Sequence, residues 1–258
     1  MRFLAFFILI ALTYPVRAEV LDVRSRGETV RLLVEEGDNP FATVVLFAGG
    51  HGVLKISKSG GIKKLGGNFL VRARDRFQSN GAVTAVIDAP TDERNKLHGF
   101  RSTEDHAKDV GAVIKSLREK YKLPVWLIGT SRGTNSVANA AVRLKGADKP
   151  DGIVLTATMT AYHGPWGGDY VTNMDIEDVK LPVLIVHHKK DDCRVTPADK
   201  VDDLRDELEN AKPVKVLWYE GGSGIRGSNC GARHYHGFNG IEEQVVKDIM
   251  NWVKSPSP

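Results

Sequence analysis

The chain has 258 residues, of which 41% are hydrophobic and 26% are charged, and its formal net charge is +4. This composition is that of an ordinary globular protein, and it excludes a disordered chain or a coiled coil. Basic and acidic residues are mixed along the predicted helices, so the charge indicates solvated helix faces and does not indicate a nucleic-acid partner.

The first eighteen residues have the pattern of a secretory signal peptide. Arg2 precedes an apolar block over residues 3–12, and Val16 and Ala18 supply the aliphatic and small residues that a signal peptidase reads. The block is too short to span a bilayer comfortably. We therefore expect residues 1–18 to be removed, and the mature chain to be periplasmic or secreted with no stable membrane insertion. The alternative is an uncleaved N-terminal anchor.

Cleavage has two consequences for the mature chain. The formal charge falls from +4 to +2, because Arg2 and Arg17 are lost. The two cysteines, Cys193 and Cys230, enter an oxidising compartment, where two thiols in one domain usually pair. A disulfide is therefore expected, and two free buried cysteines are the alternative.

Short apolar, β-branched runs recur along the chain and predict strands that are covered on both faces. The runs are Thr29–Val34, Thr43–Ala48, Ala82–Ile87, Val125–Ile128, Gly152–Thr156, Val183–His187 and Val214–Tyr219.

Helical patterns separate these runs. They cover Asn68–Ser79, Ser102–Tyr121, Arg132–Leu144, Pro197–Leu208 and Ile241–Val253. Strands that alternate with helices predict an α/β fold, a doubly wound and mostly parallel sheet with helices on both faces. No linker interrupts the pattern, so residues 19–258 are expected to form a single domain.

One serine stands where such a sheet carries its chemistry, at the carboxyl end of a strand. The strand Val125–Ile128 leaves through Gly129-Thr130-Ser131-Arg132-Gly133 into a helix. Gly-x-Ser-x-Gly between strand and helix is the nucleophile-elbow pattern, in which the glycines leave room for a tight turn and the serine hydroxyl points out of the sheet. The alternative is a glycine-rich turn in which the serine only caps the helix.

A serine hydroxyl needs a base, and the order expected along the chain is serine, acid, histidine. An acid, Asp191 or Asp192, follows the late strand Val183–His187. A histidine, His234 or His236, follows the last strand.

With these residues in order, the chain resembles an α/β-hydrolase of the serine esterase or peptidase type over nearly the whole mature sequence. The resemblance implies a catalytic triad of Ser131, Asp191 and His236. Spacing after the strand favours Asp191 over Asp192, and the following Gly-Phe favours His236 over His234. The implied reaction is hydrolysis of an ester or related acyl bond through an acyl-enzyme, with no cofactor.

The same resemblance implies an oxyanion hole of two backbone N–H groups. One belongs to Arg132, the residue after the nucleophile. The other belongs to the loop Gly49-Gly50-His51-Gly52, where His51 is favoured and Gly50 is its rival. In this loop a glycine replaces the histidine that usually leads the family's motif.

A bridge between Cys193 and Cys230 would join the loop of the proposed acid to the loop of the proposed base. We expect it to preorganise the Asp191–His236 pair as well as to staple an extracellular domain. The substrate is a small molecule or a peptide, with an ester favoured over a peptide bond. The pocket walls are expected in the loop from Asp88 to Arg101 and in the aromatic segment around Tyr162 and Trp166, although Trp166 is as compatible with plain packing.

Three other classes fit less well. A metal site is disfavoured because neighbouring residues of a strand, such as His187 and His188, point to opposite faces and match no zinc signature. An oxidoreductase is disfavoured because no Gly-x-Gly-x-x-Gly turn follows the first strand. A non-catalytic binding protein of the same fold stays open, because fold alone does not guarantee chemistry. The oligomeric state is not predicted.

Overall fold

The computed structural model describes residues 17–161 and 170–258. Nearly all of the predicted signal peptide, and the predicted pocket residues Tyr162 and Trp166, lie outside the described residues.

In those two ranges eight strands form one sheet. They are β1 (Arg17–Ser25), β2 (Glu28–Glu36), β3 (Ala42–Phe47), β4 (Ala82–Ile87), β5 (Val125–Ser131), β6 (Gly152–Thr158), β7 (Val183–His188) and β8 (Val214–Tyr219). Their order across the sheet is β1-β2-β4-β3-β5-β6-β7-β8. Strands β3 to β8 are parallel, and β1 and β2 join antiparallel at one edge, so the prediction of a mostly parallel sheet is confirmed.

Strand β1 is the element that the sequence did not predict. It pairs with β2 along its whole length, from Arg17 opposite Glu36 to Ser25 opposite Glu28. As an edge strand it buries little, with Val23 among its few core residues. Its mixture of charged and apolar residues therefore lacks the continuous apolar run by which the central strands are found.

Six α-helices cover the two faces of the sheet in the described ranges. They are α1 (Phe69–Arg72), α2 (Arg74–Ser79), α3 (Glu104–Tyr121), α4 (Gly133–Arg143), α5 (Val201–Glu207) and α6 (Glu242–Lys254). The predicted helix Asn68–Ser79 is two short helices, because Ala73, with ψ of 8°, interrupts it. The predicted helix Pro197–Leu208 begins with a 3-10 turn, Ala198–Lys200, before α5.

Each face of the sheet has its own apolar core, because side chains alternate along a strand. On β3, Val45 and Phe47 join one core with helices α3, α4 and α5. Val44 and Leu46 join the other core with helices α1, α2 and α6. The sheet is thus buried from both sides, which explains why its central strands are continuous apolar runs.

None of the helices in the described part of the chain is long and apolar enough to cross a membrane.

The turn from β5 into α4 brings three backbone segments into contact. Ser131 has a left-handed backbone, with φ of 53°. A Cβ on Gly129 would lie 2.6 Å from the carbonyl oxygen of Gly133, and a Cβ on Gly133 would lie 2.2 Å from that of Phe47. No side chain fits at either position, because real Cβ atoms do not approach backbone oxygen so closely. Both glycines are therefore required by packing, and this packing holds Ser131 at the tip of the turn.

We predict that Gly133→Ala destabilises the protein by about 1–3 kcal/mol, as overpacking does. The added methyl must push α4 away from the end of β3 and so displace Ser131. Urea unfolding measures the first effect, and turnover of the fully folded variant measures the second. Gly66→Ala is the control, because a Cβ there has nothing within 4 Å. Equal stability of both variants would contradict the packing argument.

Candidate active site

The predicted nucleophile and base share a cavity at the carboxyl edge of the sheet. The cavity has a volume of about 160 Å³, and Ser131 and His236 both line it. Ser131 is the last residue of β5, while His236 lies in a 3-10 turn, Tyr235–Gly237, in the long loop after β8. Residues 105 positions apart in the sequence are thus brought to one cavity by parallel strands that end on the same edge.

His236 is bonded to one of the two candidate acids. Its Nδ1–H donates to Asp191 Oδ2 over 3.0 Å, and both residues are buried. Asp192 is exposed, and His234 makes no comparable contact with a carboxylate among the described residues. Of the alternatives that the sequence left open, Asp191 and His236 are thus the two that form a buried hydrogen-bonded pair.

Two further donors fix the Asp191 carboxylate. The amide of Cys193 donates to Oδ1 over 3.0 Å, and the hydroxyl of Thr196 donates to Oδ2 over 3.0 Å. Thr196 Oγ1 also lies 3.1 Å from His236 Nδ1, so it touches both members of the pair. Sequence reasoning missed Thr196, because a threonine in a loop has no spacing rule that marks it as a partner of an acid.

His187 lies next to the Asp191–His236 pair and is neutral. Burial lowers the pKa of His187 to about 4, although the nearby Asp191 charge acts to raise it. Its Nε2–H donates to the carbonyl oxygen of Thr196 over 3.1 Å and lies 3.6 Å from Asp191 Oδ2. A neutral imidazole here braces the acid loop without competing with His236 for the carboxylate.

The disulfide Cys193–Cys230 is present, with 4.6 Å between the two Cα atoms. Cys193 follows Asp191 by two residues and donates its amide to that carboxylate. Cys230 lines the cavity beside His236. The bridge therefore joins the loop of the acid to the loop of the base within the site itself.

The glycine loop after β3 lies directly against the nucleophile. A Cβ on Gly49 would lie 3.0 Å from Ser131 Cβ, and both Gly49 and Gly50 line the cavity. His51, the favoured donor in the sequence, is not among the cavity-lining residues. Its ring Nδ1 accepts a hydrogen bond from the Val53 amide over 3.1 Å, which is a structural contact within its own loop. Burial lowers the pKa of His51, helped by the charges of Lys64 and Arg101.

A buried arginine holds this loop in place. Arg101 is 3% exposed, and it donates to the Ala48 carbonyl oxygen over 2.8 Å and to Ser136 Oγ over 2.7 Å. Its guanidinium packs on the loop so closely that a Cβ on Gly52 would lie 2.3 Å from Nη2. Burial, together with the charge of Arg132, lowers the pKa of Arg101 to about 9. The loop is thus wrapped around a cation, which no sequence pattern indicated.

Arg132, the residue after Ser131, is hydrogen-bonded to the segment Asp88–Arg101. Arg132 Nη1 donates to His98 Nε2 over 3.0 Å, so His98 is the tautomer with its hydrogen on Nδ1. Burial lowers the pKa of His98, and the charges of Arg132 and Arg101 lower it further. The segment Asp88–Arg101, predicted as a pocket wall, supplies none of the residues that line this cavity. Its His98 and Arg101 instead contact Arg132 and the glycine loop.

The opposite wall of the cavity is partly apolar. It includes Leu65 and Phe69, together with Asn68 at the start of α1. Asn68 Oδ1 caps α1 by accepting from the Leu70 amide, and its Nδ2 faces Gly49. An apolar group of a small substrate has a place here, with an amide donor beside it.

One group of side chains brings possible metal ligands together. Ligand atoms of Asp191, Cys193 and His236 lie within 4.8 Å of one another. The sulfur of Cys193 is bonded to Cys230, however, and a metal ligand must be a thiolate. Asp191 and His236 are bonded to each other, so this set fits a triad better than a metal centre.

A larger cavity, of about 330 Å³, lies between β2 and the loop after β4. Its lining includes Arg31, Lys55, Asp88 and Arg94. Asp88 already accepts the amides of Leu54 and Ile56 over 2.7 Å each. The lining contains no pair of nucleophile and base, so the smaller cavity is the candidate active site.

No protein-family model and no curated protein matches this chain. Solved structures do match it. A dienelactone hydrolase from Anabaena variabilis is similar with a TM-score of 0.63 and 14% identity, over 93% of this chain and 97% of that one. An α/β serine hydrolase without a lid, from Xanthomonas campestris, has a TM-score of 0.61 and 15% identity, over 95% of this chain and 99% of that one.

Esterase 2 of Thermogutta terrifontis, solved in a form phosphoramylated by tabun, has a TM-score of 0.60 and 15% identity. It matches over 96% of this chain and 100% of that one. At such identities the likeness speaks for the fold. Together with the order of the eight strands and the turn at Ser131, it gives this chain the α/β-hydrolase fold.

Proposed function

We propose that the protein is an exported serine hydrolase that cleaves ester bonds through an acyl-enzyme. The observation that carries the proposal is the arrangement at the cavity. Ser131 has a left-handed backbone conformation and shares the cavity with His236. The Nδ1–H of His236 is hydrogen-bonded to the buried Asp191. That is the arrangement of nucleophile, base and orienting acid by which a serine hydroxyl is activated.

In the first half of the reaction, Ser131 Oγ attacks the carbonyl carbon of the ester and His236 Nε2 takes its proton. The Asp191 carboxylate stabilises the imidazolium that forms. The tetrahedral intermediate then collapses, the bond to the alcohol breaks, and His236 gives the proton to the departing oxygen.

In the second half, water attacks the acyl-enzyme with His236 again as base. The bond between Ser131 Oγ and the acyl carbon breaks, the proton returns to the serine, and the acid leaves. His236 must be neutral at the start of each half, because its Nε2 lone pair accepts the proton.

The oxyanion of each intermediate needs two N–H donors. The amide of Arg132 is one, at the start of α4, where the helix dipole adds to it. For the other, the lining of the cavity supports Gly50 over His51, because Gly50 faces the cavity with Ser131. The carbonyl hydrogen bond from Arg101 to Ala48 sets the path of this loop.

An ester is favoured over a peptide as substrate. Esterases and serine hydrolases are among the structures similar in fold, which supports this class at the level of analogy. The cavity of about 160 Å³ suits a small acyl or alcohol group.

Export is supported by the disulfide, since disulfides persist in oxidising compartments. Cleavage after Ala18 would leave β1 nearly whole, because only the pairs of Arg17 with Glu36 and of Ala18 with Glu35 would be lost.

We predict that a fluorophosphonate labels the mature protein at Ser131 and that Ser131→Ala lowers turnover by about 10⁴-fold or more, as the loss of a nucleophile does. Peptide mapping identifies the labelled residue. The alanine variant should remain folded, because the turn depends on the glycines and not on the hydroxyl.

Labelling elsewhere, or a variant with a near-wild-type rate, would contradict the triad. Absence of labelling in folded protein between about pH 6 and 9, where a histidine base is neutral, would favour a non-catalytic binding protein instead.

Removal of the disulfide, by Cys193→Ala with Cys230→Ala, should lower both stability and activity. The bridge closes a segment of 37 positions, which corresponds to about 4 kcal/mol of constraint on the unfolded chain. Activity should fall by more than the loss of folded protein accounts for, because the bridge holds the acid loop against the base loop. Turnover per folded molecule, with the folded fraction from circular dichroism, decides this. Full activity of the folded double variant would leave the bridge as a staple only.

Thr196→Val should lower kcat by roughly 10- to 150-fold, the range expected when a hydrogen bond to a charged group is removed. Without the Thr196 hydroxyl, the Asp191 carboxylate and the His236 ring lose a hydrogen-bonding partner that contacts both.

The control is Thr43→Val, which makes the same change at a buried hydroxyl without a partner, near the start of β3. If both variants lose kcat by the same factor, Thr196 has only a packing role.

A further inference from the structure

Two arginines flank the nucleophile without a carboxylate partner. Arg101 is bonded to a carbonyl and a hydroxyl, and its buried Nε has no partner. Arg132 is bonded to the neutral ring of His98. In the described part of the chain no acid forms an ion pair with either side chain, and none acts on the pKa of either. Two such cations near the candidate active site are unusual, because partly buried charges are normally paired with a group of opposite charge.

Arg132 is tied to the cavity at both of its ends. Its backbone follows Ser131, and its guanidinium is bonded to His98. His98 in turn interacts with the backbone of Gly50, which lines the cavity together with Ser131. The guanidinium is therefore linked through His98 to the glycine loop that lines the cavity, while Arg132 itself is not among the lining residues.

Among the described residues, His98 is the one hydrogen-bonding partner of the guanidinium. An arginine has five N–H donors, and the bond to His98 uses one of them. The side chain is half-buried, and desolvation lowers the pKa of Arg132. A cation that is partly desolvated and still has free donors binds an anion more strongly than one that is fully hydrated.

Arg101 and helix α4 add to the same field. The Arg101 guanidinium lies behind the glycine loop, and α4 points its amino terminus, the positive end of its dipole, at the same place. A neutral substrate would leave both guanidinium charges uncompensated. An anionic substrate supplies the negative charge that the described residues lack.

We propose that the substrate is an ester that carries a carboxylate, and that the side chain of Arg132 binds this carboxylate next to the scissile bond. The proposal rests on the proposed function, because it names the substrate class of the same site. The guanidinium fork matches a carboxylate with two parallel hydrogen bonds, which also fixes the orientation of the ester.

The test compares esters that differ only in charge. One pair is 4-nitrophenyl hydrogen adipate and 4-nitrophenyl methyl adipate, with the charge on the acyl side. The other pair is 3-acetoxybenzoate and its methyl ester, with the charge on the alcohol side. In one of the pairs the anionic ester should have the higher kcat/KM, and added salt should reduce the advantage because exposed charges are screened.

Arg132→Gln should lower the ratio of anionic to neutral kcat/KM by about 10- to 100-fold, the range for a charge-assisted hydrogen-bonded pair. Arg132→Lys keeps the charge but loses the planar fork of donors. Its ratio of anionic to neutral kcat/KM should therefore lie between those of the wild type and Arg132→Gln. Arg143→Gln is the matched control. It removes the same charge from the same helix at an exposed position, about 15 Å along the axis. Its ratio should be that of the wild type.

Calorimetry with monomethyl adipate and dimethyl adipate, carried out on the Ser131→Ala protein so that neither ester is cleaved, tests binding without turnover. Ser131→Ala should bind the monoanion more tightly than the neutral diester, and the double variant Ser131→Ala with Arg132→Gln should lose this preference.

The proposal would be overturned if the wild type has a ratio of anionic to neutral kcat/KM of one or less in both pairs of esters. It would also be overturned if Arg132→Gln has the same ratio as the wild type. If Ser131 labels and neutral esters are cleaved without a charge preference, only the anionic substrate fails. If Ser131 does not label and no ester is cleaved, the proposed function fails, and the calorimetric preference then decides the anion site by itself.

Discussion

The site depends on the close contact between the end of β5, the start of α4 and the end of β3. Gly133 packs against the Phe47 carbonyl, and Gly129 packs against Gly133. These segments are so close that neither glycine has room for a side chain. This closeness forces the turn into which Ser131 fits with a left-handed φ. Backbone strain of this kind persists only where the surrounding structure determines it, and here a two-sided apolar core does so.

A second constraint fixes the partners of the serine. The loops after β7 and β8 have no regular structure over most of their length, yet their functional residues are held from several directions. The Asp191 carboxylate accepts from Cys193, Thr196 and His236, and the disulfide ties the two loops together. With each of these donors aimed at the acid, little reorganisation is left for the reaction, which is the physical basis of preorganised catalysis.

The third feature is the electrostatic asymmetry around the serine. On one side the Asp191 charge is buried and matched by donors. On the other side Arg101 supports the glycine loop, Arg132 extends from the nucleophile to His98, and no acid within residues 17–161 and 170–258 pairs with either cation. This asymmetry favours negative charge where the oxyanion would form. It also links the architecture of the loop to the proposed choice of substrate, because the same field acts on both.

The sequence by itself determined the α/β class, seven of the eight described strands, the tight turn at the serine and the short lists of acids and bases. These follow from local rules: apolar runs for buried strands, paired glycines for a tight turn, and the order of residues along the chain. Only the tertiary structure brings Asp191 and His236, and not Asp192 and His234, into one hydrogen-bonded pair, because neighbouring residues in a loop differ in where they point and not in their pattern. Edge strand β1, Thr196 and the Arg101–Ala48 contact were also decided there. Each depends on a partner distant in sequence, and only the folded sheet brings the partners together.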